Sequence, residues 1–491
     1  MRRKLVCVVD YGTSNTRVNA IDVKDGSIAY SSSRKYLVQD KGNGYAEISA
    51  AEIWSFSEAC MKDIVTRITQ DDEIIAISYS FFGDNLIPLN AKEEPLNDCI
   101  LCTDPRGVQQ AAYINSQIPA SEQIDIIGDS YMPYKFGAKA LWVKQMAPYA
   151  SEVVWYDTQQ QYVFRKLGLP PVNDYTMAAR KQLYDLDKGC WSQRFLDVMG
   201  LTAESLGTGV VATGDIVGYI EKYGEVELGH AVPVIAGGHD CDVAMIGMGL
   251  IGEEVDAVGD ITGTFDHVGY LSNRTINLKK EVADTPLVSY TGPFAGTSIC
   301  LGAFPTAGAT LEWFMREINE GTSGADYNKY WSQIQFDGKG TVMVIPTLDG
   351  NRGRIDGIGV TTTKADIFKA VIEALTFENR RLIENCKSVK QGQINRIRIG
   401  GGAANSDEWM QLRADISGVT VERMANIQIS SLGGAILGAV AAGVYASVEE
   451  AIQHMVHVGD SFVPNEAVRE KYEQKYQEYN RRREQVESGL F

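Results

Sequence analysis

Four short stretches of this chain carry side chains whose types and spacing could do chemistry. The first is Asp10-Tyr11-Gly12-Thr13-Ser14-Asn15, which follows the apolar run Leu5 to Val9. A buried strand ending in a carboxylate and a small-residue turn offers N–H groups and two hydroxyls to an anion. The carboxylate can hold a divalent cation through water beside that anion. A lone Asp-x-Gly-Thr is more often a capped hairpin turn, but the pattern recurs roughly half a chain later. There the run Glu254 to Val258 leads into Gly259-Asp260-Ile261-Thr262-Gly263-Thr264 and then the alternating stretch Phe265 to Leu271. Two such half-chains imply a duplicated fold with a nucleotide held between two lobes. The third stretch is Gly237-Gly238-His239-Asp240 after the apolar run Val232 to Ala236. An acid delivered there at a helix start is placed for proton transfer, or for capping the helix, and the two roles can coexist. The fourth, Gly400-Gly401-Gly402-Ala403-Ala404-Asn405, lets a flat ligand approach the backbone and gives it an amide to bond.

The elements around these stretches follow from periodicity. Arg17 to Val23 alternates, Asp25-Gly26 turns, and Ser27 to Ser31 returns, so the opening is a β-meander rather than the strand–turn–helix of a Rossmann or P-loop site. Ser49 to Ile68 reads as an amphipathic helix and Ile74 to Ser80 as a strand ending in Phe81-Phe82-Gly83-Asp84-Asn85. The Asp84-Asn85 pair could bind hydroxyls or simply turn the chain. Helices are expected at Ala138 to Met146, at Tyr156 to Leu167, at Ala309 to Ile318 behind Gly308, and from Thr363 with its capping-box partner Asp366. A strand is expected over Ile394 to Ile399. Leu432 to Tyr445 is a small-residue helix suited to close packing. Val468, Tyr472, Tyr476, Tyr479 and Val486 mark one face of a terminal helix, with Arg481 to Arg483 on its solvated side.

Composition bounds the function. A chain of 491 residues calls for two domains, and its net charge of −17 argues against nucleic acid or an anionic membrane as a partner. The eight cysteines are scattered, as in a reducing compartment. Cys99 and Cys102 have C-x-x-C spacing without a completing pair, so chance outweighs a redox or metal role. His454 and His457 lack a third ligand. No stretch is long and apolar enough for a membrane span, and a cytoplasmic location is expected.

In this order and spacing, the motifs DYGTSNTR (Asp10 to Arg17), GGHD (Gly237 to Asp240), TGT (Thr262 to Thr264), the AGA around Gly308 and GGGAANSDEWMQLRADISG (Gly400 to Gly418), followed by LGGAILGAVAAGVY, resemble the FGGY family of carbohydrate kinases. That group contains glycerol kinase, xylulokinase, gluconokinase and fuculokinase. The resemblance implies an α/β fold of two ribonuclease H-like, actin/hexokinase-type domains, 1–250 and 251–491, with a catalytic cleft between them. It implies ATP and Mg2+ as cofactors and a small sugar, ketose or polyol as acceptor. By similarity Asp240 is the general base, and Asp10 and Asp240 hold the metal. Gly12, Thr13, Ser14, Asn15, Arg17, Gly263 and Thr264 would meet phosphates. Gly308, Gly401, Gly402, Ala403 and Asn405 would line the adenosine pocket, and Asp84, Tyr134, His239 and Asp240 the sugar pocket. Two departures blur the substrate. Phe82-Gly83-Asp84-Asn85 stands where xylulokinases carry Gln-Met-His-Gly, closer to the Phe-Gly turn of fuculokinases. Cys102-Thr103-Asp104-Pro105-Arg106 has lost the tryptophan of the family's Trp-x-Asp-x-Arg. Dimers are common among such enzymes, which makes a homodimer the expectation. The alternatives are a non-catalytic sugar or nucleotide sensor on the same fold and an actin-like ATPase.

Overall fold

The computed structural model describes residues 2–251, 255–263, 265–282, 285–319, 321, 327–346, 353–390 and 392–488. In chain order, the elements that position the chemistry begin with strands Arg3–Tyr11 (β1), Asn15–Asp22 (β2) and Ile28–Lys35 (β3) and helix Ala50–Val65 (α1). Strand Asp72–Phe81 (β4) and helices Phe136–Met146 (α2) and Tyr175–Arg180 (α3) follow. Next come strands Ile216–Tyr223 (β5), Val226–Ile235 (β6) and Gly238–His239 (β7), then helix Asp240–Gly247 (α4). The second half opens with strands Ala257–Thr262 (β8) and Asp266–Ser272 (β9) and helices Ala307–Trp313 (α5) and Lys364–Val389 (α6). It ends with Arg396–Gly401 (β10), Asp407–Ser417 (α7), Thr420–Met424 (β11), Ile429–Ala441 (α8), Val458–Phe462 (β12) and Glu466–Glu487 (α9).

These elements form two compact units, and the chain does not divide at a single point near residue 250. The first unit comprises Met1–Glu253, Leu271–Cys300 and Ile429–Val456; the second comprises Glu254–Tyr270, Leu301–Gln428 and His457–Phe491. The small-residue helix α8 therefore belongs to the first unit, for a steric reason. Gly433 lies against the backbone of Val243 in α4, Gly434 against Val8 and Gly438 against Val6, so the helix seats directly on β1 and α4.

In the first unit the strand order is β5-β6-β4-β1-β2-β3, with β7 also pairing with β4. Leu5 to Val9 are all fully buried, which is why β1 reads as a continuous apolar run. β1 pairs antiparallel with β2 and parallel with β4. Ser49 caps α1 by accepting the Glu52 N–H, and Ile53, Cys60 and Ile64 face inward.

The second unit repeats that arrangement. β8 pairs antiparallel with β9 and parallel with β10, and β11 and β12 extend the sheet. A reciprocal capping box between Thr363 and Asp366 starts α6, whose Phe368, Val371, Ala374 and Phe377 are buried. On α9, Tyr472 donates to Glu373 at 2.8 Å and Tyr479 to Glu378 at 2.6 Å. Arg483 is buried too, donating to Glu378 at 2.7 Å, rather than lying on the solvated side. Its position four residues after Tyr479 puts it on the tyrosine face. Behind Gly308 the expected helix forms as α5 and then widens into a π-helical turn over Phe314–Ile318.

The two hairpins share topology but not chemistry. Asp260 on β8 is fully buried; Asn379 donates to it at 2.8 Å, and Arg413 bridges Asp260 and Asp266. Burial raises the carboxyl of Asp260, with Arg413 opposing. Arg413→Met would leave two buried acids without their cation. We expect a loss of about 3–5 kcal/mol of stability, read as a lowered midpoint in urea unfolding; an unchanged midpoint would mean Asp260 and Asp266 are not held by this pair.

Candidate active site

In the first unit the site is built where parallel strands end. Asp10 on β1 is in register with Ser80 on β4, and Ser80 with Gly238 on β7. Three chain segments thus deliver their carboxyl ends side by side, the usual ligand edge of such sheets. Gly237 makes the approach possible: its φ is +67°, and a Cβ there would collide with the Tyr79 carbonyl. The His239 N–H donates to Thr176 Oγ1 at 2.8 Å, and Thr176 donates to Asp174 at 2.6 Å, so the start of α3 anchors β7.

Asp240 is the first residue of α4, and the N-cap is its neighbour His239. The Cys241 N–H donates to Asp240 Oδ1 at 2.7 Å. The Asp240 side chain stays 37% exposed, whereas Asp242, two residues on, is fully buried. Asp242 accepts from Arg180 Nη2 at 3.0 Å, and burial pushes its carboxyl up to about 6 against the pull of Arg180. Asp10 is half-buried; burial raises its carboxyl, opposed by Ser80 and Arg17. The Gly12 N–H is already used, donating to the Asn15 carbonyl at 2.9 Å to close the β1–β2 turn. Thr13 and Ser14 are left at the open side of that turn, half-buried and exposed respectively.

The Phe82–Asn85 loop lies on the same edge. Asp84 adopts a left-handed φ of +56°, uncommon for a residue with a side chain, and pairs with Lys135 Nζ at 2.9 Å. Lys139 Nζ donates to the backbone carbonyls of Asp84 and Leu101, and burial pushes its ammonium down to about 8. The guanidinium of Arg180 stacks 4.2 Å from the Tyr290 ring centroid, with Lys135 Nζ 5.4 Å from the same centroid. Tyr134 sits at the rim, 41% exposed, and leaves the inward position to Lys135. Arg180 and Tyr290 escape sequence reading because each comes from a different segment with no motif around it, whereas Lys135 adjoins Tyr134, the residue the sequence favoured in that segment. By contrast, Asp104 and Arg106 are absorbed in a buried cluster with Glu47.

The second unit holds a cavity of about 840 Å³. Gly263, Gly308, Gly402, Ala403 and Asn405, five of the residues singled out from sequence, all line it. Gly401 stands behind them: its φ is +102°, and a Cβ would strike the Thr262 carbonyl of the paired strand. The remaining wall includes Leu311, Trp331 and Phe368, an apolar slot suited to a flat ring. Thr264 lies outside the described residues.

All eight cysteines are free, and burial pushes the Cys102 thiol up to about 11 and raises that of Cys99. Burial therefore keeps both as thiols. His454 stacks on Tyr445 with ring centroids 5.1 Å apart. Among the described residues, no helix is long and apolar enough to cross a membrane.

Residues 5–247 match the N-terminal domain of the FGGY family of carbohydrate kinases, and residues 301–442 its C-terminal domain. The chain belongs to the FGGY family of carbohydrate kinases. As a member it is an ATP-dependent kinase of a sugar or polyol, with Mg2+ accompanying the nucleotide. It is 24% identical to a glycerol kinase from Clostridium beijerinckii, over 96% of this chain and 97% of that one. It is 26% identical to a xylulose kinase from Lactococcus lactis subsp. lactis, over 96% and 94%. Its fold matches the crystal structure of a ligand-bound xylulose kinase from Lactobacillus acidophilus with a TM-score of 0.86, at 22% identity over 98% of both chains. Near-equal identity to a polyol kinase and a ketose kinase leaves the acceptor unnamed. Belonging to a sugar kinase family displaces the actin-like ATPase reading.

A Cβ at Gly402 would meet nothing within 4 Å, so a side chain there would project into the cavity without straining the turn. In this FGGY kinase Gly402→Leu is expected to weaken ATP binding by about 1–3 kcal/mol, roughly ten- to hundredfold. Steady-state kinetics should show this as a raised KM for ATP with the acceptor KM little changed. An unaltered KM for ATP would place the nucleotide elsewhere.

Proposed function

We propose that Asp240 is the general base of this kinase, accepting the proton of the acceptor hydroxyl as its oxygen bonds to the γ-phosphorus of ATP. The observation that carries this reading is the contrast among the acids at the strand ends. Asp242 and Asp84 are paired with Arg180 and Lys135, whereas Asp240 keeps a part-exposed carboxylate whose Oδ1 accepts the Cys241 N–H. A base must be oriented and yet reachable. The Thr13 and Ser14 hydroxyls, with Arg17, are suited to phosphate oxygens, and Gly263 serves the same end in the second unit. The cavity lined by Gly308, Gly402, Ala403 and Asn405 is suited to adenosine, with Gly401 holding the turn in place. Asp84, with Tyr134 at the rim, is suited to acceptor hydroxyls.

Magnesium fits the oxygens of Asp10 and Asp240. The donor atoms of His239, Asp240 and Cys241 lie within 4.8 Å of one another, but their nitrogen and sulfur suit softer ions. When bound, the ion shields phosphate charge and favours in-line transfer. Everything else falls to the chain: orienting the hydroxyl, accepting its proton and cradling the phosphates. A cytoplasmic homodimer acting on a small sugar, ketose or polyol is the setting this reading supposes, consistent with the scattered free thiols.

ADP release over a panel of ketopentoses, deoxyketoses, polyols and aldonates, each against a no-sugar control, tests the assignment. Stimulation by one class identifies the acceptor; no stimulation by any, with ATP still bound, favours a sensor. Asp240→Asn should lower kcat by roughly 10²–10⁴-fold while acceptor binding persists, and near-wild-type turnover would return Asp240 to a helix-start role. Asp84→Ala should raise the acceptor KM well above any change in the KM for ATP. Equal changes in both would remove Asp84 from the acceptor pocket.

A further inference from the structure

Asp84 is held by two lysines one helical turn apart, and the arrangement leaves bonding capacity unused. Lys135 is the N-cap of α2, and its Nζ donates to Asp84 Oδ2 at 2.9 Å. Lys139, four residues on, is fully buried and donates to the Asp84 backbone carbonyl. Side chain and backbone are thus held from one helix, which lets Asp84 keep its left-handed φ of +56°. The neighbouring Gly83 is hemmed in sterically: a Cβ there would sit 2.5 Å from His239 Nε2 and 3.5 Å from Cγ of Arg180.

Asp84 Oδ1 is buried and accepts no hydrogen bond among the described residues. A carboxylate oxygen left in that state is costly, and native structures seldom leave one without a reason. Lys135 is in the complementary condition. Its ammonium has three N–H groups, and Asp84 Oδ2 is the one oxygen accepting from it among the described residues. Its other neighbours include ring faces, with the centroids of Tyr290 at 5.4 Å and Tyr134 at 5.8 Å, which attract the charge. The pair is nearly sealed, with 9% of the Lys135 side chain and 13% of the Asp84 side chain exposed. A spare donor and a spare acceptor therefore belong to one ion pair on the acceptor side.

We propose that Lys135 is a specificity-determining residue that works with Asp84 to read one hydroxyl of the acceptor, other than the one phosphorylated. The hydroxyl oxygen accepts from Lys135 Nζ, and its O–H donates to Asp84 Oδ1. The inference rests on the assignment of Asp84 to the acceptor pocket. Only a group that both accepts and donates completes the pair. An alcohol does so, whereas a carboxylate, a carbonyl or a deoxy carbon at that position does not. The acceptor is thereby a polyhydroxy compound with a free hydroxyl at this point, a polyol or ketose rather than an acid presenting its carboxylate there.

Steady-state kinetics with the best acceptor from the panel and its monodeoxy analogues test this. For one analogue, the wild-type acceptor KM should rise about 10–100-fold, the worth of hydrogen bonds to charged groups. Lys135→Met should raise the KM of the full acceptor by a similar factor, with the KM for ATP little changed. It should then discriminate against that analogue by no more than about threefold. An unchanged acceptor KM, or wild-type discrimination against every analogue, would overturn the proposal. Should Lys135→Met fail to fold with Asp84 left buried beside no cation, Lys135→Met/Asp84→Asn removes both charges. Set against Asp84→Asn alone, it isolates the lysine: a further loss of discrimination is expected, and none would overturn the proposal. The two readings fail differently. Equal KM changes for acceptor and ATP in Asp84→Ala would remove Asp84 from the pocket, and this role of Lys135 with it. A raised acceptor KM in Asp84→Ala beside an unchanged one in Lys135→Met would overturn the role of Lys135 alone.

Discussion

The register of three parallel strand ends governs the first unit. Asp10, Ser80 and Gly238 lie side by side because β1, β4 and β7 run the same way and stop at the same edge. Had β7 slipped by one residue, its side chains would point to the opposite face. The left-handed Gly237 packed on Tyr79 and the Thr176 hydroxyl beneath the His239 N–H hold that register. Every polar contact around Asp240 depends on it.

Around that edge, three of the acids are closed into pairs with cations. Asp242 has Arg180, Asp84 has Lys135, and Asp104 has Arg106. Buried pairs of this kind add little net stability, since desolvation offsets much of the attraction, but breaking one is costly. They therefore work as fixed walls. Asp240 differs from these in being part-exposed, with its Oδ1 accepting the Cys241 N–H. The strained φ of Asp84 belongs to the same design, since a loop held by Lys135 and Lys139 can keep a conformation it would not choose alone.

The two units show how a repeated scaffold is put to different uses. Both present a hairpin followed by a parallel strand and a small-residue turn. In the first, the acid at the hairpin's end stays half-buried beside Arg17; in the second, Asp260 is sealed under Arg413 and Asn379. The second unit's ligand capacity comes instead from its glycines, which leave a cavity backed by Leu311, Trp331 and Phe368. The likeness of Asp10 and Asp260 in sequence is a likeness of position in the fold, not of chemistry.

Much of this was legible in the residues themselves. Leu5 to Val9 can only be a doubly buried strand, Asp25-Gly26 a tight turn, and Thr363 with Asp366 a helix start, because each is decided by neighbours in the chain. The family motifs carried the kinase reading, and the glycines of Gly400 to Gly402 and Gly237 to Gly238 foretold close backbone approach. Tertiary structure alone decided the rest. Lys135 meets Asp84, Arg180 meets Asp242 and Tyr290 meets both cations, and no local pattern encodes a contact between segments so far apart. Whether Arg483 is solvated, which unit α8 joins and which carboxylate is sealed or open are likewise settled by packing partners. A sequence states which groups are present and how they repeat, but the free energy of burying a charge depends on what the fold brings beside it.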